Sequence, residues 1–208
     1  MRIKTPKMPL YSLVAFSLLL LFSIPVLFYW VANDNYYGRH VDDMAQDFEL
    51  TDVQGKAHRL SKHRGRYVYL YFGYLNCNDV CHNQVGVMFN LHHQSRRDDL
   101  DFIFVTMDPK RDSPEMLDAY FNQFGTNFVS LTSNTMQSIQ KVAGDYHAAF
   151  FPDGNPKLNQ DYEISHPGAI YLIDPTGRLQ LVYQGDLRYD MMLEDLQKLT
   201  LELNNPSK

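Results

Sequence analysis

A chain of 208 residues suffices for one domain with its own core plus an appendage. It has 19 Lys and Arg against 24 Asp and Glu, a formal charge of −5. Its basic clusters, 56–66 and 96–97, are diluted by polar residues or followed by acids, which argues against a nucleic-acid partner.

Residues 10–32 are 23 uncharged residues broken only by three serines and Pro25. At about 1.5 Å per residue such a helix spans a roughly 30 Å hydrocarbon core, and Tyr29 and Trp30 sit where interfacial aromatics belong. A cleavable signal peptide fits less well, because the run exceeds the usual core and Trp30 stands where a small residue is wanted. Arg2, Lys4 and Lys7 precede the run, whereas Asp34, Asp42 and Asp43 outweigh Arg39 after it. The pattern predicts a cytoplasmic N-terminus (1–9), a transmembrane signal anchor (10–32), a tether (33–43) and an outward-facing domain (44–204). An Arg- and Ser-rich presequence is lacking, so the expected location is a bacterial inner membrane, single-pass, with the domain in the periplasm.

Beyond the tether, two short strands flank a turn at 52–55, and the apolar, aromatic run 67–74 reads as a buried central strand. A helix is expected over 80–95, with Val80, Val85, Met88, Phe89 and His92 on one broad face. A second buried strand at 102–107 ends at Asp108-Pro109. Ser113 then reads as a helix N-cap, with Pro114 at the first helical position and Gly125 beyond the helix end. A strand at 128–131 and a helix at 135–146 follow; 148–164 reads as loop with edge-strand character on both sides. A hairpin of 169–173 and 179–183 precedes a closing helix, 189–203. This order predicts an α/β fold, a mixed sheet with helices on both faces.

Two cysteines three residues apart cannot staple a domain of this size, so Cys77 and Cys81 point to redox or metal chemistry. Both fall where a central strand gives way to a helix, a position at which the helix end favours thiolate. Thiolates suit Cu(I) and also Zn, and the wide CxxxC spacing leaves room for a metal without forbidding a disulfide. Among eight histidines, His166 stands out, just before the strand 169–173. Two thiolates and an imidazole make a coherent copper set, whereas a closed zinc site wants a fourth ligand. His82 supplies one only if its side chain turns inward. Asp79 and Asp108 are candidates to orient the donors; Arg111 is placed to pair with Asp108. Helix-capping or turn roles serve both aspartates as well.

Three motifs, FGYLNCNDVC (72–81), VTMDPKRDSP (105–114) and ISHPGAIYLIDPTGRL (164–179), in this order after an N-terminal span, resemble the SCO/SenC family of copper-binding cytochrome c oxidase assembly proteins. The resemblance implies a thioredoxin-like fold and copper ligands at Cys77, Cys81 and His166. It also implies one Cu(I)/Cu(II) per chain and, as partner, oxidase subunit II with its dinuclear copper centre. The family's usual Pro after each cysteine is Asn78 and His82 here, and its Asp-His-Ser is Ser165-His166-Pro167; no ligand is lost. A metallochaperone is therefore expected rather than an enzyme. The alternative is a thiol–disulfide reductase that keeps acceptor cysteines reduced. An interaction module with idle cysteines and a thiol peroxidase are the remaining readings.

Overall fold

The computed structural model describes residues 10–33, 36–76, 80–154 and 162–205, with side chains placed for all of these except 10, 13, 25–33, 80 and 81. It falls into two units, residues 1–36 and residues 37–208. The described part of the first is one helix, α1 (Leu10–Asn33), of 24 residues. Over the described residues, no helix is long and apolar enough to cross a membrane.

In the second unit, the run of Tyr, Val, Leu and Phe at 67–73 becomes β4 (Tyr67–Gly73), every residue of which is buried. A strand buried on both faces needs cover on both sides of its sheet, which helices supply. One neighbour is β5 (Leu100–Thr106), also buried throughout, paired in parallel register from Tyr67↔Leu100 to Gly73↔Thr106. β6 (Phe128–Thr132) pairs in parallel beyond it. On the other side β9 (Ile170–Ile173) and β10 (Arg178–Tyr183) run antiparallel. The hairpin of β2 (Glu49–Asp52) and β3 (Ala57–Arg59) closes one edge, and β1 (Arg39–Met44) the other.

The intervening helices are α2 (Val80–Ser95), α3 (Pro114–Phe121), α4 (Met136–Asp145) and α5 (Tyr189–Asn204). On one sheet face Tyr69 and Phe102 stack at 5.6 Å and Phe102 and Phe128 at 4.6 Å. That face is covered by His92 of α2, edge-on to Phe102, and by Phe121 of α3, 4.6 Å from Phe104. On the opposite face Phe72 and Tyr171 meet Tyr146, at the end of α4, at 5.8 Å and 5.5 Å. Helices therefore lie on both faces, and aromatic pairs add about 0.5–1.5 kcal/mol each beyond their buried area. Ser113 caps α3, its hydroxyl accepting from the Met116 N–H, with Pro114 first in the helix. The ambiguous segment yields a two-stranded ribbon, β7 (Phe151–Pro152) with β8 (Ile164–Ser165).

The tether expected over 33–43 is corrected in its second half. Residues 39–44 form β1, antiparallel to β10 from Arg39↔Val182 to Met44↔Arg178. Five of its six side chains are exposed, so the strand carries no alternation of apolar and polar residues. The backbone ladder and polar anchors hold it instead. Asp195 of α5, itself buried, accepts the N–H groups of Tyr37 and Gly38 through its two oxygens, each at 2.9 Å. The Arg178 Nε donates to Asp42 at 2.7 Å. Hydrogen bonds to a charged group contribute about 1.5–3 kcal/mol. Asp195→Ala should therefore lower unfolding free energy by that amount and speed amide exchange at Tyr37 and Gly38 above other sheet amides. Unchanged exchange there would show that the ladder alone holds the strand.

Candidate metal centre

The site starts where β4 stops. A Cβ at Gly73 would lie 2.7 Å from the Tyr71 ring and 3.0 Å from that of Phe104, so glycine lets the strand end tightly packed. Tyr74, Leu75 and Asn76 follow. Cys77 and Asp79 lie outside the described residues. α2 begins at Val80, which puts Cys81 second in the helix, at the end where unsatisfied N–H groups stabilise thiolate.

His166 follows β8 and precedes β9. It is half-buried, and burial holds its imidazole below the ordinary His range, so the ring is neutral near pH 7 and offers a lone pair. Nδ1 accepts the Gly168 N–H at 3.2 Å. A metal taken at Nδ1 displaces that N–H; one taken at Nε2 requires the ring proton to move to Nδ1. The Tyr74 ring meets that of His166 edge-on at 5.9 Å.

Residues flanking the cysteine segment bond to residues flanking His166. On the strand side, the Tyr74 hydroxyl donates to Glu163 at 2.5 Å and accepts from the Ile164 N–H at 3.2 Å. On the helix side, the Gln84 amide donates to the Gly168 carbonyl at 3.1 Å. Neither contact was visible to sequence reasoning, although Gln84 stands one helical turn past Cys81 along α2.

Asp108 is fully buried. One of its oxygens pairs with the Arg111 Nε, as the spacing suggested; the other accepts the Tyr162 hydroxyl at 2.8 Å. The Arg111 guanidinium lies 3.8 Å from the Tyr162 ring centroid and 5.7 Å from that of Tyr74. Helix capping falls to Ser113 instead. Asp112, to which sequence reasoning gave no role, is 1 % exposed. Its Oδ2 accepts the Leu75 N–H at 3.0 Å and the Thr106 hydroxyl at 2.5 Å. Its Oδ1 has no partner among the described residues, and burial pushes its carboxyl up to about 6. Among the described residues no group of three His, Cys, Asp or Glu side chains is placed to hold a metal. His166 is the one expected donor whose side chain falls within them.

A family model described as SCO1/SenC matches residues 38–201. The chain belongs to the SCO1/SenC family. Its relatives include the SCO2-like protein of Rickettsia prowazekii, 33 % identical over 149 residues, with 71 % of this chain and 72 % of the relative covered. Bradyrhizobium japonicum ScoI, solved with copper bound, superposes with a TM-score of 0.63 at 27 % identity, over 74 % of this chain and 98 % of that one. BsSco is described as a member of the Sco family of cytochrome c oxidase assembly proteins, with an identified disulfide switch. It matches at TM-score 0.62 and 20 % identity, over 79 % of this chain and 97 % of its own, which shows the fold alone. The domain thus has the thioredoxin-like α/β fold of solved Sco proteins.

Against this SCO1/SenC background His82 can be placed. Its exposed ring lies with Nδ1 3.0 Å from the Tyr120 hydroxyl, on α3. That contact ties the first turn of α2 to α3, and the ring is not turned inward as a fourth ligand would require. In the neighbouring pair, His92 packs against Phe102 and Phe128 while His93 is exposed, one partly buried and one wet.

Proposed function

We propose that this SCO1/SenC protein is a membrane-tethered copper metallochaperone in which Cys77, Cys81 and His166 hold one copper ion for the dinuclear copper centre of cytochrome c oxidase subunit II. The observation that carries the reading is the pair of hydrogen-bonded links, Tyr74 to Glu163 and Ile164, and Gln84 to Gly168, which join the surroundings of the cysteines to those of His166. Copper is cargo rather than a resident cofactor. Two thiolates suit Cu(I), and a neutral imidazole keeps the set usable for Cu(II). Transfer then proceeds by stepwise exchange of ligands with the acceptor's own donors. Asp108 and Asp112 hold the structure behind the donors; Asp79 is proposed beside them.

The proposed tether is the sequence run 10–32, 23 uncharged residues preceded by Arg2, Lys4 and Lys7; a helix over that whole run would rise about 35 Å against a roughly 30 Å hydrocarbon core, although over the described residues no helix is long and apolar enough to cross a membrane. The domain from residue 37 then faces the periplasm of a bacterial inner membrane.

The full chain, purified from membranes and reduced, should hold about one copper. Cys77→Ser should lose it, and His166→Ala should bind Cu(II) about 10- to 100-fold more weakly. Equal copper in the wild type and Cys77→Ser would overturn the ligand set; extraction of the chain from membranes by alkaline wash would overturn the tether.

A thiol–disulfide reductase is a second reading, favoured by the disulfide switch described for BsSco. One thiolate attacks an acceptor disulfide, the second cysteine resolves the mixed disulfide, and the acceptor leaves with two electrons while Cys77 and Cys81 become the disulfide. That turnover is expected to be insensitive to His166→Ala, which separates it from copper binding.

A further inference from the structure

We propose that Gln84 is a positioning residue for copper, fixing the His166 loop to the helix that carries Cys81. The inference rests on the copper reading above and adds a residue to it. Gln84 is 4 % exposed, so its amide has left water and its donors need protein partners. Its Nε2 donates at 3.1 Å to the carbonyl of Gly168, 84 residues further along the chain.

Gly168 also bonds to the imidazole, its N–H donating to His166 Nδ1 at 3.2 Å. It adopts φ +60°, a left-handed conformation that glycine accepts without cost. One residue therefore has its N–H on the candidate ligand and its C=O on α2. The relay runs from Cys81, one helical turn to Gln84, across to Gly168 and back to His166.

Copper binding disturbs one link of this relay. Entry at either ring nitrogen ends the Gly168 N–H to Nδ1 bond in its present form, by displacement or by placing a proton on Nδ1. The Gln84 link is to the carbonyl and is untouched by that change. It holds the loop in place through the exchange, so that taking up or giving up the metal does not release His166 from the helix.

A structural role alone, satisfying a buried carbonyl, predicts a different result from positioning, and a double-mutant cycle separates them. Copper(II) affinity is measured by chelator competition on the full chain, with nitrogen hyperfine structure in the EPR spectrum of the loaded protein. Gln84→Leu, which keeps bulk and removes the donor, should weaken binding about 10- to 100-fold and alter the hyperfine pattern. In a His166→Ala background the same change should cost less than about threefold, because the group it acts through is gone.

Equal loss in both backgrounds, or no loss with His166 present, overturns the proposal. Should Gln84→Leu fail to fold, Gln84→Met keeps the length of the side chain and lacks the donor; the same outcomes apply to it. Copper binding that is normal in His166→Ala removes the ligand set and this proposal together. Weak binding there with normal binding in Gln84→Leu removes this proposal alone.

Discussion

Asp108→Ala is expected to destabilise the domain by about 3–5 kcal/mol, the cost of breaking a buried ion pair from one side. The carboxylate is fully buried and the Arg111 side chain is 15 % exposed, so water replaces little of what is lost. Removal takes the carboxylate away from the guanidinium and leaves the Tyr162 hydroxyl without that acceptor. The turn is loosened too, since the Asp108 side chain also accepts from the Arg111 backbone N–H at 3.4 Å. Adding Arg111→Met should recover part of the loss, because an apolar pair in the same volume has no charge to strand. Denaturant unfolding of the two single variants and the double gives the coupling directly. Strictly additive losses would mean that the pair is not the source of the effect. The copper reading adds a second readout. Arg111 lies over the rings of Tyr162 and Tyr74, and Tyr74 holds the His166 segment, so Asp108→Ala should also weaken copper binding.

What the sequence disclosed divides along the range of the forces involved. β4 was legible because seven consecutive buried residues select strand formers and admit no polar side. The start of α3 was legible because Ser113 and Pro114 act within one turn. Pairing of Asp108 with Arg111 followed from a separation of three residues. β1 was not legible, because an exposed edge strand is fixed by backbone bonds to β10 and by Asp195, some 150 residues away in the chain. The same holds at the site. That Cys81 opens a helix could be read locally, whereas Tyr162 on Asp108, Asp112 on Leu75 and Gln84 on Gly168 are contacts across 54, 37 and 84 residues. Two of these three end on a backbone group, which has no signature in sequence at all. His82 was illegible for a related reason: its partner is a tyrosine on another helix.

Asp112 should give the copper-free protein a stability that falls as pH rises from about 4 to about 6. In the fold its carboxyl titrates near 6, because burial penalises the anion more than the Thr106 and Leu75 hydrogen bonds favour it; the ordinary value is 3.8. Between these two values the folded state keeps a proton that the unfolded chain has lost, so each step up in pH favours unfolding. Below the lower value there is no penalty, and above the higher one the penalty is complete. At 1.36 kcal/mol per pH unit the interval from 3.8 to about 6 amounts to about 3 kcal/mol. Asp112→Asn retains an oxygen to accept from Leu75 and Thr106 and cannot ionise. Its stability relative to the wild type should therefore climb by that amount between pH 4 and pH 7. Other carboxylates, such as Asp101, held low chiefly by hydrogen bonds from His63 and Arg66 against its burial, contribute an opposite slope common to both proteins, which cancels in the difference. Parallel stability curves would show that Asp112 is not the group responsible. The same carboxylate holds the Leu75 N–H through Oδ2, two residues before Cys77 in the sequence. The ionised oxygen is the stronger acceptor. On the copper reading, Asp112→Asn should therefore be more stable at neutral pH and bind copper less tightly.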